Sequence, residues 1–350
     1  MNILKKLVYK ASFIAILLII AIKPLDAAPM INTKDAINQA RQHISFMSFR
    51  VNMFHQEIAS SMKMTMELPI FKEYFSLPES KHNSYDKNGV IQFTKKQDEL
   101  RAQLNEWVAI MSKRFTIGEV CLIDKHGQEH FRAVGHRVEH AHHFSSHESD
   151  SPFFDPSMKL SQGDVLFSEP YMSPDSYHWV VAISSPIILA NGKTAGFFHF
   201  EVPMMVYGNI LKTKDFTYHK LNKKPTLDSD EEGRYFIVNK QGLVIADSQQ
   251  MISCKLKAER HPDLNPDLPD YVVPEQMKDY YPPAESISSE ADFLEVINDM
   301  VAGKSGERVI SLYDQDYIII FKPVSKMPWS IAHLDPVKDV GFWQKNKKTK

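Results

Sequence analysis

His126, Glu129 and His130 match the inverted zinc-protease pattern HxxEH, in which one helix face presents both imidazoles to a metal. That chemistry requires a helix, and the segment predicts a hairpin turn instead. Its Lys125-His126-Gly127 recurs as Lys240-Gln241-Gly242, where the histidines are missing. Gly303-Lys304-Ser305 has the ending of a phosphate-binding loop, but the glycine needed upstream is replaced by Asn298 and a helix, not a strand, is predicted before it. A third cluster, His136, His140, His142, His143 and His147 among Glu139, Glu148 and Asp150, carries the donors that zinc, copper or nickel take. Its spacings match no standard closed site, so a polar loop between strands stands beside the metal reading. There is no GxSxG elbow, HExxH pair or glycine-rich dinucleotide fingerprint, and the chain is expected not to be an enzyme.

The elements that would position these residues come in two copies. Val120–Gln128 (VCLIDKHGQ) and Phe236–Leu243 (FIVNKQGL) each run from an apolar strand through Asp or Asn into Lys-x-Gly. The units also end alike, with AISSPI leading to AGFFHFEVP in the first and IIFKPV leading to WSIAHLDP in the second, each closing strand carrying His-x-acid. One antiparallel module has been copied. The pattern predicts strands near 120–123, 129–134, 165–168, 177–184 and 194–202, then near 235–238, 243–246, 307–313, 317–323 and 329–334.

At 350 residues and a net charge of −2 the chain is long enough for two domains and gives no reason to expect a nucleic-acid partner. Residues 1–27, with Lys5, Lys6 and Lys10 before the apolar run Phe13–Ile22, read as a secretory signal cut after Ala27, or as an N-terminal anchor if retained. The expected location is periplasmic or secreted. Cys121 and Cys254 are the two cysteines; a bridge is permitted in an exported chain, and a packed free thiol is expected for Cys121 because it sits in an apolar strand.

Between signal and first module, apolar residues at Ile37, Ala40, Ile44, Met47, Val51, Phe54 and Ile58 predict a long helix with one seam, which packs on the chain's own sheets or pairs with a second copy. Pro69 ends that region, Ser80–Gly89 reads as a loop, and Thr94 with Gln97 caps a helix striped by Leu100, Leu104, Trp107, Met111 and Phe115. Leu211–Glu232 is a charged connector, His261–Pro283 a Pro-rich acidic insert, and Ser289 the expected cap of a helix ending at Gly303.

In this order the helix with Leu68–Phe75 behind it, the IDKHGQEHFR hairpin, Phe167-Ser168-Glu169-Pro170-Tyr171, Val181–Pro186 and Gly196–Val202 resemble the double Cache family of extracellular sensors over about Asn32–Pro336. The resemblance implies an α+β fold: a long N-terminal helix beside two stacked PAS-like (Cache) antiparallel-sheet modules, the helical region over 28–115, the membrane-distal module over 116–212 and the second over 213–350. It also implies a non-enzymatic sensor holding a small molecule in the first module. Carried over by position, Tyr171 lines the pocket and Glu201 is the acid ending the last strand, placed to pair with a ligand amine. Of His178 and Trp179, on opposite strand faces, one faces the pocket; Trp179 would add a cation–π surface. Phe154 and Arg132 complete the expected ligand set. The Arg and Trp-Tyr pair of amino-acid-sensing members is missing from Ser151–Leu160, which puts carboxylate recognition in doubt. Family members continue into a membrane helix and an output domain, whereas this sequence stops at Lys350, so signalling through a separate membrane-bound partner is expected. No cofactor is expected. The alternative reading is a periplasmic protein that binds a divalent metal through the His136–His147 loop.

Overall fold

The apolar seam of the first helix and the alternating strands behind it set the architecture. In a computed structural model the described residues are 33–135, 137–175, 178–212, 233–249, 281–312 and 315–337. All the packing below lies within Ala40–Pro336, one of two compact units. The expected signal, Cys254 and most of the connector and acidic insert lie outside the described residues.

Helix α1 (Thr33–Met66) buries Ala40, Ile44, Met47, Val51, Phe54, Ile58 and Met62, so the seam is covered by the chain's own sheets. Pro69 does not simply end the helical region: it occupies the first turn of α2 (Pro69–Ser76), where a missing N–H costs nothing. The expected loop holds β1 (Ser84–Tyr85), which pairs with β2 (Ile91–Gln92) just beyond the loop's end in a small hairpin. Helix α3 (Lys95–Arg114) starts with the full capping box: the Gln97 amide donates to Thr94 Oγ1 and the Thr94 amide to Gln97 Oε1. Such a cap contributes about 1 kcal/mol. Val108 rather than Trp107 completes the buried stripe, and the Trp107 indole donates to Thr65 instead.

The first sheet contains β3 (Glu119–Asp124), β4 (Glu129–Val134), β5 (Arg137–Val138), β6 (Leu166–Phe167), β7 (Tyr171–Met172), β8 (Trp179–Ile188) and β9 (Thr194–Pro203) in the order β5-β4-β3-β9-β8-β6, with β7 also on β8. A one-turn helix α4 (Phe154–Met158) lies over it, and α5 (Met205–Lys212) leads away from it, occupying the start of the expected connector. The second sheet contains β10 (Arg234–Asn239), β11 (Val244–Asp247), β12 (Gly306–Leu312), β13 (Gln315–Pro323) and β14 (Trp329–Pro336) in the order β11-β10-β14-β13-β12. Counted within each module, and setting aside the edge strand β5, both orders read second, first, last, then the middle strands. Helix α6 (Ala291–Val301) covers the second sheet; its cap residue is Glu290, not Ser289, and no side chain caps it.

The turns repeat in atomic detail. Asp124 Oδ1 accepts from the amides of His126 and Gln128, and Asn239 Oδ1 from those of Gln241 and Leu243. A side-chain oxygen acting as a turn acceptor is the reason Asp or Asn precedes Lys-x-Gly. Gly127 and Gly242 take φ of +87° and +77°, and a side chain on Gly127 would also strike the backbone of Ser149. The HxxEH residues are therefore a turn and strand. His130 is buried, facing Tyr74 (OH to Nδ1, 3.0 Å) and Asp124 (Nε2 to Oδ2, 3.3 Å).

Candidate functional site

Pairing between strands decides which residues share the inner face of each sheet. In the first module Cys121 stands opposite His199 and Arg132, and Ile123 opposite Phe197 and Glu129. Alternation then puts Glu119, Cys121, Glu129, Arg132, His199 and Glu201 on one face, beneath Phe153, Phe154 and Tyr171. In the second module the same register sets Phe236 opposite Ala332 and Asp247, and Val238 opposite Val244. Cys121, Glu129, His199 and Glu201 thus correspond to Phe236, Val244, Ala332 and Leu334. The polar set of the first module is replaced by apolar core.

This register corrects the His-x-acid repeat. His199 faces inward, but His333 pairs with Tyr235 and Ile320 and faces α1, stacked on the Tyr235 ring at 4.4 Å. An offset of one residue flips the face. A different correspondence appears in its place: Glu119 and Arg132 form an ion pair (Oε1 to Nε, 2.8 Å) at the positions where Arg234 and Asp247 form one (NH2 to Oδ2, 2.5 Å) with the charges exchanged.

The second pair is balanced and the first is not. Arg132 serves Glu119, Glu129 (NH1 to Oε2, 3.7 Å) and Asp175, while its NH1 also donates to the carbonyl of His143. Burial works against the guanidinium charge, yet Glu119, Glu129 and Asp175 together hold its pKa above the ordinary value. Glu119, Glu129 and Glu201 are at most 3% exposed, with Glu148 buried beside them. Burial pushes Glu129 and Glu201 up to about 8, and raises Glu119 well above the carboxylate range, reinforced by Asp175 and Glu201. Tyr171 OH donates to Glu201 Oε1 at 2.7 Å. Cys121 is a free, buried thiol whose Sγ donates to Glu129 Oε1 (3.0 Å) and Glu119 Oε1 (3.3 Å). Acids kept neutral by burial are poised to ionise against an incoming positive charge.

The histidine-rich segment is the cover of this face. Ser145 N donates to Glu129 Oε2 at 2.7 Å, Gln128 Nε2 donates to Ser145 O, and Phe153 stacks on His199 at 4.5 Å between ring centroids. His140, His142, His143 and His147 are exposed on its outer side; the His142 ring lies 5.6 Å from that of His140 and 3.9 Å from that of His143. His136 lies outside the described residues. Among the described residues none of these histidines joins a group of three metal donors, whereas Glu119, Cys121 and Glu129 do, their ligand atoms all within 4.8 Å of one another.

Of the expected ligand residues, the fold brings Tyr171, Glu201 and Arg132 to one face, with Phe154 in the apolar wall against Phe197. Trp179 points the other way and packs on Tyr281 of the second module, its ring 5.4 Å away. His178, one step earlier, is half-buried, and its carbonyl accepts from the Ser173 amide. Sequence reasoning missed Glu119 and Asp175, and singled out Glu129 only as the acid of the HxxEH pattern. A glutamate two residues before Cys121 in an otherwise apolar strand, set against Arg234 two residues before Phe236, was the available signal. A cavity of about 350 Å³ lies elsewhere, lined by Lys63, Met64, Phe71, Lys72, Pro186 and Ile187 among others, and includes none of the acid cluster.

Comparison with known proteins follows the geometry. The sequence profile described as Cache domain matches residues 32–340. Among solved structures, the sensory domain of the Campylobacter jejuni chemoreceptor Tlp3 with isoleucine bound is 12% identical, covering 89% of this chain and 97% of its own, at a TM-score of 0.53. The extracellular domain of the putative histidine kinase vpHK1S-Z8 is 12% identical (91% and 95% covered, TM-score 0.53). A domain of a putative sensory box/GGDEF family protein from Vibrio parahaemolyticus is 12% identical (85% and 96%, TM-score 0.52). No curated protein matches. Identities this low carry the fold alone.

Proposed function

The chain belongs to the Cache domain family, and on that premise we propose that it is an exported sensor which captures a small, positively charged organic molecule in its first module and reports capture to a separate signalling protein. One observation carries this reading. The inner face of the first sheet keeps a buried excess of carboxylates over one guanidinium, while the equivalent face of the second is filled by Phe293, Val296, Ile297 and Met300 of α6. An apolar face packed by a helix holds a fold together. A buried, uncompensated acidic face disfavours its own empty state, and natural chains keep such a face where a ligand offsets the cost.

In this reading the ligand ammonium takes the place of the Tyr171 proton contact at Glu201, with Asp175 and Ser173 alongside. Entry requires the cover to lift, breaking the bonds from Ser145 to Glu129 and from Arg132 to His143. Recognition is of the cationic end, since Arg132 is already engaged by three carboxylates and leaves little for a ligand carboxylate. The family and the structural relatives are sensory rather than catalytic. Among the described residues no helix is long and apolar enough to cross a membrane.

The test is a thermal-shift screen of the purified chain against amines, amino acids, carboxylates and purines. An amine that raises Tm, and whose effect disappears in Glu201→Ala, supports the proposal, because a ligand binding only the folded state adds RT ln(1 + [L]/Kd). A hit confined to carboxylates or purines and indifferent to Glu201→Ala would refute it.

A further inference from the structure

The cavity beside α2 lies apart from the acidic face. It measures about 350 Å³ and falls within one compact unit, where the last turn of α1, the first turn of α2, the Gln162-Gly163 turn and the end of β8 meet. Its floor is apolar and fixed by packing. Phe71 is 1% exposed and tilts against Phe198 of β9 with ring centroids 5.1 Å apart, and Pro186 and Ile187 are buried in β8. The turn is fixed as well: the Ser161 amide donates to Asp164 Oδ2 at 3.0 Å, and Ser185 Oγ donates to the Asp164 carbonyl at 2.8 Å. Gly163 within it takes φ of +82° and has open space where a side chain would stand. A preformed hollow of this size, apolar at its base with a few polar groups around it, is the usual form of a small-molecule site.

The charge around it is positive on balance. Lys63 and Lys72 line the cavity, both exposed, and among the described residues neither forms an ion pair. Glu67 is the one acid in the lining, and it pairs with neither lysine. The backbone adds to the same sign. Helix α2 starts here with no side chain capping it and no acid in its first turn, whereas two of the carbonyls that end α1 are already met, Met64 O by the Glu67 amide and Thr65 O by the Leu68 amide. From this cavity we infer a second binding site, for a small organic monoanion with an apolar body, a carboxylate on an alkyl chain or a ring. The body lies on Phe71, Pro186 and Ile187, and the carboxylate meets Lys63 and Lys72. A lysine carries its ammonium on an apolar stem, so these two side chains serve both parts of such a ligand. A bare phosphate leaves the floor uncovered, and an amine meets two like charges. Phe198 and His199 point to opposite faces of β9, so this site and the acidic one lie on opposite sides of the first sheet.

The site does not depend on the acidic-face reading, and its test separates the two. Isoleucine-methyl NMR of the purified chain is followed during titration with sodium hexanoate, 1-hexanol and sodium acetate. Hexanoate should move the methyl signals of Ile187 and Ile188, which line the cavity, along one saturating curve, and leave those of Ile310 and Ile319 in the second module in place. Hexanol lacks the charge and acetate the body, so each should bind at least about tenfold more weakly. Replacing both lysines, Lys63→Glu with Lys72→Glu, should weaken hexanoate at least about tenfold, and Glu67→Gln should tighten it. These are exposed side chains, and unchanged positions of the other methyl signals check that the fold is intact. Glu201→Ala should bind hexanoate as the unaltered chain does. Shifts that never saturate, hexanol binding as tightly as hexanoate, or an affinity indifferent to the paired lysine replacement would overturn the inference. An amine that raises Tm while hexanoate fails to bind removes this site and leaves the sensor reading standing. Hexanoate binding with no amine hit does the reverse.

Discussion

Buried carboxylates and buried histidines in this chain have titrations displaced in opposite senses, and both shape how stability follows pH. Burial holds Glu129 and Glu201 protonated up to about 8, against an ordinary 4.5. The folded state therefore binds more protons than the unfolded one between those values, and this contribution to stability is lost as pH rises through the window. His55 and His199 behave the other way: burial keeps them neutral down to about 4 and about 3, against an ordinary 6.5, so their contribution is lost as pH falls below 6.5. The two slopes oppose each other between about 4.5 and 6.5. With Glu119 raised in the same direction as Glu129 and Glu201, the ligand-free chain should show a shallow fall of Tm there and a decline of several degrees toward pH 8, given roughly 2–4 °C per kcal/mol for a chain of a few hundred residues or less. Glu129→Gln should raise Tm at pH 8 and leave it nearly unchanged at pH 5. Calorimetry across that range decides it, and a Tm that climbs steadily from pH 5 to pH 8 would mean the acids are not neutral when buried.

At the scale of elements, helix α1 is the part whose sequence was most legible and whose role was least so. Its seam follows from apolar spacing, and the capping box and Asx turns follow from short-range chemistry that each residue carries with it. What spacing could not show is that His55, one step beyond Phe54 on that seam, is fully buried and joins both modules. Its ring nitrogens meet Tyr207 OH of α5 at 3.0 Å and the carbonyl of Ser325, before β14, at 2.9 Å, with Phe167 and Trp329 around the ring. The acid cluster was hidden for a related reason. Glu119, Glu129 and Asp175 come together only through strand register, and register is a property of pairs of segments; the two-residue strand β7 that carries Tyr171 is likewise too short for alternation to reveal. His55→Ala leaves the Tyr207 hydroxyl unpaired and a void between three elements. It should cost about 2–4 kcal/mol, read as a lower urea midpoint at unchanged slope. A loss under about 0.5 kcal/mol would show that α1 does not fasten the modules there.

Across the molecule, one copy of the module keeps a polar inner face and the other an apolar one, so a change begun in the first must reach the second through their shared contacts. The short route runs across a single strand. Tyr171 and Met172 on β7 pair with Val180 and Trp179 on β8, so the hydroxyl that holds Glu201 lies one strand away from a side chain on the opposite face. Trp179 meets Tyr281 edge to face, and Lys240 in the second module's turn reaches Glu169, two residues before Tyr171, at 3.0 Å. Displacing Tyr171 from Glu201 shifts β7, and β7 is bonded to the strand that carries Trp179. With Trp107, Trp329 and Trp343 replaced by phenylalanine, the emission of Trp179 becomes a reporter of that route. A saturating amine from the thermal-shift screen should change its intensity or wavelength, and Tyr171→Phe, which removes the hydroxyl but keeps the ring, should reduce the change while binding persists. If emission stays constant while the amine raises Tm, the second module does not sense occupancy through β8, and the signal must travel by the cover over the acidic face or by α1.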